Sequence, residues 1–323
     1  MRAAYVEQLG PPDVIRYGEL AAPVPGSDEV LVDVRATTVN PVDAFVRSGV
    51  FRTPLEFPFV IGRDLVGTVA SAGGGFAVGD AVWCNSLGHG GRQGAAAEQA
   101  AVPVDRLYPL PPGVPPEVAV AVVHPAAAAY LALFTHGDLC SGETVLVGGA
   151  AGNVGAALVV LAVRAGARVI ATASARDHDY CRDLGAGEVV DYRDAELPRR
   201  LAELAPGGVD LHVDTSGHND LASAVALLAH RGRIVLMAGT KDEPLLPVGP
   251  LYMKDASVRG FAISHATTGE LASAATALND LFSRDLLRPR TTETLPLSAA
   301  ADVHRRMERG ELHGMRVVLR TDS

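Results

Sequence analysis

Residues 144–173 read TVLVGGAAGNVGAALVVLAVRAGARVIATA. An apolar β-branched run, Val145 to Val147, stops at a glycine-rich turn, Gly148 to Gly155. A segment of helical period follows, and after Gly166 comes a second β-branched run, Arg168 to Thr172. Strand, tight turn, helix and strand in that order make the βαβ unit that holds a dinucleotide pyrophosphate. The spacing is Ala150-x-Gly152-x-x-Gly155, so an alanine stands where the usual fingerprint has its first glycine. Gly152 is expected to let the backbone approach the phosphates and Gly155 to let the helix pack closely on the strand. Asn153 and Val154 open that helix, whose free N–H groups and positive dipole end face the anion. A glycine turn alone is a common structural device. Flanking strands and a helix at the right lengths favour the nucleotide.

The second strand bears on which nucleotide. An Asp or Glu about 20 residues past the turn usually holds a free ribose 2′-hydroxyl. Counting from Gly152 reaches Thr172, Ala173 and Ser174, none of them acidic, and Arg176 follows. A guanidinium with a serine hydroxyl suits a 2′-phosphate, which favours NADPH over NADH. Asp177 lies next to Arg176 and partly offsets it.

A chain of 323 residues that is 48% hydrophobic is long enough for two cores. The formal charge is −9 with no basic cluster, which argues against a nucleic-acid groove or an anionic membrane surface. The first residues, MRAAYVEQLGPPDV, lack a secretory apolar core. The longest apolar stretch, Val118 to Phe134, is alanine-rich and broken by His124 and Pro125, so a buried interdomain helix explains it better than a membrane span. Cys84, Cys140 and Cys181 share no short spacing, so neither a disulfide framework nor a cysteine zinc cluster is indicated. These features together point to a cytoplasmic protein.

The first hundred residues carry short strands, Val30 to Val39, Leu65 to Ala70 and the Ala97 to Val104 region, closed by a proline-rich bridge from Pro109 to Pro116. Strand and helix then alternate. The strand candidates are Val145–Val147, Val169–Thr172, Val189–Asp191, Leu211–Asp214, Ile234–Ala238 and Val258–Ala262. Such alternation implies a parallel sheet with helices on both faces. The tail is expected to carry an amphipathic helix, Pro296 to Arg309, and a last strand, Met315 to Leu319, and to pack back on the first domain, leaving a cleft. Domain bounds of 1–120 completed by 268–323, and 121–267, follow. Val258–Ala262 is placed at the sheet edge, where two copies would pair as a homodimer.

With these segments in order, the chain resembles the medium-chain dehydrogenase/reductase superfamily, and more narrowly its zinc-free quinone oxidoreductase, zeta-crystallin-like branch. TTVNPVDAFVRSGVF (37–51), PFVIGRDLVGTV (58–69) and AAEQAAVPVDRLYPLPPGV (96–114) carry the resemblance, with the βαβ unit and the C-terminal LPLSAAADVHRRMERGELHGMRVVLR. It implies an α/β fold: a Rossmann doubly wound parallel sheet domain plus a GroES-like β-rich catalytic domain. Where the zinc relatives place their metal ligands, this chain has Asn40, the Arg63 of Gly62-Arg63-Asp64, and His124. One plausible ligand of three remains, and a catalytic zinc needs three, so no metal is expected. His124 then reads as a core or helix-start histidine.

The resemblance further places Asn40 and Asp43 where nicotinamide and substrate meet. The Asn40 amide would donate to a developing oxyanion, although Asn-Pro is also a strong turn former and Asp43 equally well braces that loop. Phe45 and Phe51 stand where relatives often have tyrosine, and Ala128 where they have threonine, which makes the substrate pocket more apolar. Tyr192, Ser216, Gly239, Thr240 and Arg316 match cofactor contacts. The expected activity is NADPH-dependent hydride transfer to a quinone or related conjugated carbonyl. Alternatives are an enoyl or enone reductase and a non-catalytic NADPH-binding protein.

Overall fold

All six strands expected between residues 145 and 262 form, and they lie in one parallel sheet. The computed structural model, which describes residues 1–321, orders them Glu188–Asp191, Arg168–Ala173, Thr144–Gly148, Val209–Asp214, Leu228–Leu236, Ser257–Gly260. Counted along the chain this is 3-2-1-4-5-6, and the order reverses beside Thr144–Gly148. Thr144–Gly148 and Arg168–Ala173 are buried on both faces after their first residue, which is why each reads as an unbroken apolar run. Val209–Asp214 alternates fully and partly buried positions. Helices Asn153–Arg164, His178–Asp183, Leu197–Leu204 and Leu221–Leu227 supply crossovers. Their apolar faces close a core of Leu146, Ile170, Leu201, Val225 and Ile234.

This sheet belongs to a compact unit of residues 125–266; residues 1–124 with 267–323 form the other, where the sequence reading set 121–267 and 1–120 with 268–323. The division falls inside the helix Pro116–Tyr130, which passes through Pro125 and continues as a wider-turn segment, Leu131–Thr135. By length and composition this is the one helix apolar enough to cross a membrane among the described residues, yet 78% of its apolar window is buried within the protein.

The other unit holds a seven-stranded sheet. Its path runs Thr291–Pro296, Met315–Arg320, Glu29–Thr38, Leu65–Val69, Ala81–Cys84, Tyr108–Pro109, and Gln99–Pro103 pairs with the first half of Glu29–Thr38. A second sheet orders Arg16–Glu19, Arg2–Val6, Phe59–Val60. Val30, Val32 and Val34, two residues apart, point from one face into one core with Leu65, Val69 and Val82. Pairing slips between Val34 and Ala36, and there a Cβ on Gly67 would sit 2.1 Å from the Asp33 carbonyl oxygen. Only glycine admits that bulge.

The tail differs from expectation. Thr291–Pro296 is a strand paired parallel with Met315–Arg320, so the helix runs Ala300–Glu308 rather than from Pro296. Alternating Thr-Thr-Glu-Thr-Leu suits a pleat, and Pro296 ends it. A further helix, Thr268–Ser283, opens on a capping box in which Thr267 and Glu270 exchange bonds. It packs back on the β-rich part: Trp83 Nε1 donates to Asn279 Oδ1 at 3.1 Å, and Asn279 Nδ2 donates to the Pro109 carbonyl at 2.9 Å.

Candidate active site

Two groups of residues assemble, one in each unit. In the parallel sheet, the chain leaves Thr144–Gly148 through Gly149 at φ +69°, where a Cβ would lie 2.7 Å from Thr215 Oγ1. Gly155 faces the turn so closely that a Cβ would meet the Gly149 carbonyl oxygen at 2.2 Å, so the helix start rests on the turn backbone. Gly152 differs. Its Cβ would meet only Gly149 O, at a tight 3.3 Å, so packing constrains this position less than Gly155. Gly152 caps the helix without a side-chain bond, and the first turn, which Asn153 and Val154 begin, carries no acid. The N–H dipoles stay open to an anion. Ala150 is fully buried and donates its N–H to the Thr172 carbonyl at 3.0 Å, which corrects its reading as a cofactor contact to one of turn packing.

At the end of the second strand, Ser174 is buried and its hydroxyl donates to Asp177 Oδ2 at 2.6 Å. That hydroxyl is spent on a neighbour. The Arg176 side chain is 72% exposed and pairs with the same carboxylate through Nε at 3.6 Å. Tyr192 follows the adjacent strand and is half exposed, with the Arg193 guanidinium over its ring at 4.9 Å. The Tyr192 N–H donates to Ala173 O, so Arg176, Tyr192 and Arg193 gather at one corner. Arg193 escaped the sequence reading; its signal was a second cation beside an exposed tyrosine in DYRD.

Ser216 and Gly239 follow the fourth and fifth strands. The Ser216 N–H donates to Asp214 Oδ1 at 2.6 Å, and a Cβ on Gly239, at φ +90°, would lie 2.4 Å from Asn219 Nδ2. Thr240 comes next in the exposed turn. These turns share the carboxyl-end side of the sheet with the glycine turn, the side where ligands bind parallel sheets.

In the β-rich unit, the core of the site is a buried polar layer around Asp64, itself wholly buried. Its Oδ2 accepts from Asn40 Nδ2 at 2.7 Å and Thr38 Oγ1 at 2.9 Å, and its Oδ1 lies 3.0 Å from His124 Nδ1. Arg316 closes the layer: Nη2 donates to Thr38 Oγ1 and Asn40 Oδ1, both at 2.9 Å, Nε to Ala121 O at 2.7 Å and Nη1 to Val39 O at 3.2 Å. Burial lowers the Arg316 pKa, and the carboxylates of Asp64 and Asp43 offset part of that.

Several expectations change here. Arg316 commits four of its five N–H hydrogens inside the unit, so it positions Asn40 and does not stand ready for a cofactor. Asn40, 2% exposed, has its oxygen and one amide hydrogen engaged, leaving at most one N–H for an acceptor. Asp43 Oδ2 accepts the Asn40 backbone N–H at 2.7 Å at the start of helix Pro41–Ser48. It therefore braces the loop, and burial, aided by the Asp64 charge, raises its pKa to about 6. His124 sits in mid-helix, not at a helix start, and is partnered. Phe45 and Phe51 are half-buried, joined by Phe51 N–H to Phe45 O at 2.9 Å, and the Phe51 ring lies 5.4 Å from that of His89. Ala128 is buried on the same helix as His124, one turn on.

Asp64 went unread as a functional residue. A carboxylate inside the apolar run VIGRDLVG was the available signal, since a buried acid requires partners. The donor set does not suit a divalent cation. Its imidazole and carboxylate are bonded to each other, and the Arg63 and Arg316 guanidiniums flank Asp64. Among the described residues no three His, Cys, Asp or Glu side chains group as metal ligands.

Comparison with known proteins agrees with this architecture. Residues 26–112 match the alcohol dehydrogenase GroES-like domain family, and residues 153–279 match the family described as zinc-binding dehydrogenase. Quinone oxidoreductase from Mus musculus is 31% identical over 94% of this chain and 93% of its own length. A mycobacterial quinone oxidoreductase superposes with a TM-score of 0.86 at 31% identity, covering 99% of both chains. A mycobacterial protein solved in complex with NADPH superposes at 0.84 with 30% identity, also over 99% of each.

Proposed function

The chain belongs to the medium-chain dehydrogenase/reductase superfamily, in its zinc-free quinone oxidoreductase branch, and from that premise we propose an NADPH-dependent oxidoreductase that reduces a quinone or related conjugated carbonyl. The observation that carries the cofactor is the pairing of an uncapped helix start at Gly152 with the exposed Arg176 beside Tyr192. The helix N–H groups would hold the pyrophosphate, and Arg176, with Arg193 near it, would hold the 2′-phosphate. When bound, the reduced nicotinamide supplies the hydride. Asn40, fixed by Asp64 and Arg316, offers its remaining amide N–H to the oxygen that gains charge, while Asp43 holds the Asn40 backbone. Relatives that act on quinones, and one bound to NADPH, support this reading.

The test is steady-state turnover with an ortho-quinone and a 2-enoyl thioester, each with NADPH and NADH. Better turnover of the thioester would replace the quinone by an enoyl substrate. Arg176→Ala should raise KM for NADPH about 10-fold to 100-fold while leaving NADH unchanged, since a charge-assisted bond contributes about 1.5–3 kcal/mol. Equal loss with both cofactors would remove the 2′-phosphate assignment. The same reading places the enzyme in the cytoplasm as a homodimer. The edge position of Ser257–Gly260, with Leu245, Val248, Tyr252 and Met253 exposed in the segment before it, supports the pairing, which light scattering tests directly.

A further inference from the structure

The buried layer contains one group with a vacant proton site. Asp64 oxygens only accept, so the hydrogen between Asp64 Oδ1 and His124 Nδ1, 3.0 Å apart, resides on the ring nitrogen. His124 Nε2 then carries the lone pair. It hydrogen-bonds to no group among the described residues and is not sealed from solvent. The neighbouring polar groups make bonds within the layer: Asp43 with the Asn40 N–H, Thr38 between Arg316 and Asp64, Arg316 with four acceptors, and Asn40 with all but one amide hydrogen. Phe45 and Phe51 carry nothing that ionises. Asp64 thus grips both Asn40, through Oδ2, and His124, through Oδ1, on a single rigid carboxylate.

We propose that His124 is the proton-exchanging residue of the reductase, with Asp64 as its positioning residue. This rests on the reductase reading above. Reduction of a quinone or enone adds one hydride and one proton. Nε2, vacant at rest, first takes a proton from solvent. That N–H bond then breaks as an O–H or C–H bond forms on the reduced acceptor, and the ring is left neutral with Nδ1–H still on Asp64. Asp64 holds the ring in one tautomer, with Nε2 as the nitrogen that exchanges the proton.

The experiment compares wild type, His124→Gln and Asp64→Asn. Gln keeps a donor near the same place and cannot transfer a proton. His124→Gln should lower kcat about 100-fold or more, since a general acid contributes about 10²–10⁴. The solvent deuterium isotope effect on kcat should change, and the NADPH Kd should stay within about twofold. Asp64→Asn should lower kcat less. Independently of turnover, ¹⁵N NMR of the histidine rings should show the His124 signal, identified by its loss in the glutamine variant, as the Nδ1–H tautomer in wild type and as a mixture in Asp64→Asn. A folded His124→Gln enzyme with kcat within threefold of wild type, or a wild-type ring protonated at Nε2 alone, overturns the inference and leaves the reductase reading standing. Wild type that neither binds nor oxidises NADPH overturns both.

Discussion

Asp43→Asn should make the protein more stable at neutral pH, by an amount that disappears in acid. The carboxyl is almost fully buried and its pKa rises from 3.8 to about 6, burial being the larger cause and the Asp64 charge the next. A tenfold change in acidity corresponds to about 1.36 kcal/mol, so ionised Asp43 costs the fold roughly 3 kcal/mol. The sign follows from proton binding. Above pH 6 both folded and unfolded chains are ionised there, and the folded state bears the full cost. As pH falls through 6 the folded state takes up a proton that the unfolded state does not bind until 3.8, and the cost fades. An asparagine, which still offers an oxygen to the Asn40 N–H, never bears it. The expected gain is about 3 kcal/mol at pH 8, about 1.6 at pH 5 and near zero at pH 3.5. Trp83, the one tryptophan in the chain, lies in the same unit as Asp43, so its fluorescence in urea melts reports that unit. A gain independent of pH would refute the reasoning. So would destabilisation at pH 8, because the charge-assisted bond from Asn40 would then outweigh burial.

His304 works in the opposite sense. It is 1% exposed, neither ring nitrogen has a hydrogen-bond partner among the described residues, and burial together with the nearby Arg47 charge pushes its pKa down to about 3. Stability from this group is complete above pH 6.5 and falls as pH drops from there toward 3, so His304→Leu should recover about 2 kcal/mol at pH 5 relative to pH 8 in the same urea melts. An acid limb unchanged in the variant would count against it. Gly155→Ala drives a Cβ to 2.2 Å from the Gly149 carbonyl. It should lower stability by about 1–3 kcal/mol and weaken NADPH binding at least 10-fold, read by thermal melts of the free protein and by NADPH fluorescence titration. An unaltered melting temperature would show that the turn yields freely.

How much of the site could be read from the chain depended on sequence distance. Gly149, Gly152 and Gly155 fall within seven residues, and their meaning is set by the strand and helix they join. Arg176 sits one short loop past the next strand, close enough in sequence to be named together with that turn. The polar layer joins residues far apart: Asn40 reaches Asp64 across 24 positions, His124 reaches it across 60, and Arg316 reaches Asn40 across 276. No periodicity records such a meeting. Arg193 was missed for a different reason, since only an exposed Tyr192 ring beneath it makes it more than a surface charge.

The amino-acid sequence determined the parallel sheet, its glycine turn and the family, because buried parallel strands and a glycine-rich strand-to-helix turn are local patterns of residue type. It also determined that Thr172, Ala173 and Ser174, at the end of the second strand, include no acid. Tertiary structure decided what the polar residues do. Packing turned Arg316 inward, spent the Ser174 hydroxyl on Asp177, buried Ala150, and set Thr291–Pro296 beside the last strand. A buried polar group takes whichever partner the fold brings within about 3 Å, and that choice is a property of the folded chain rather than of its neighbours in sequence.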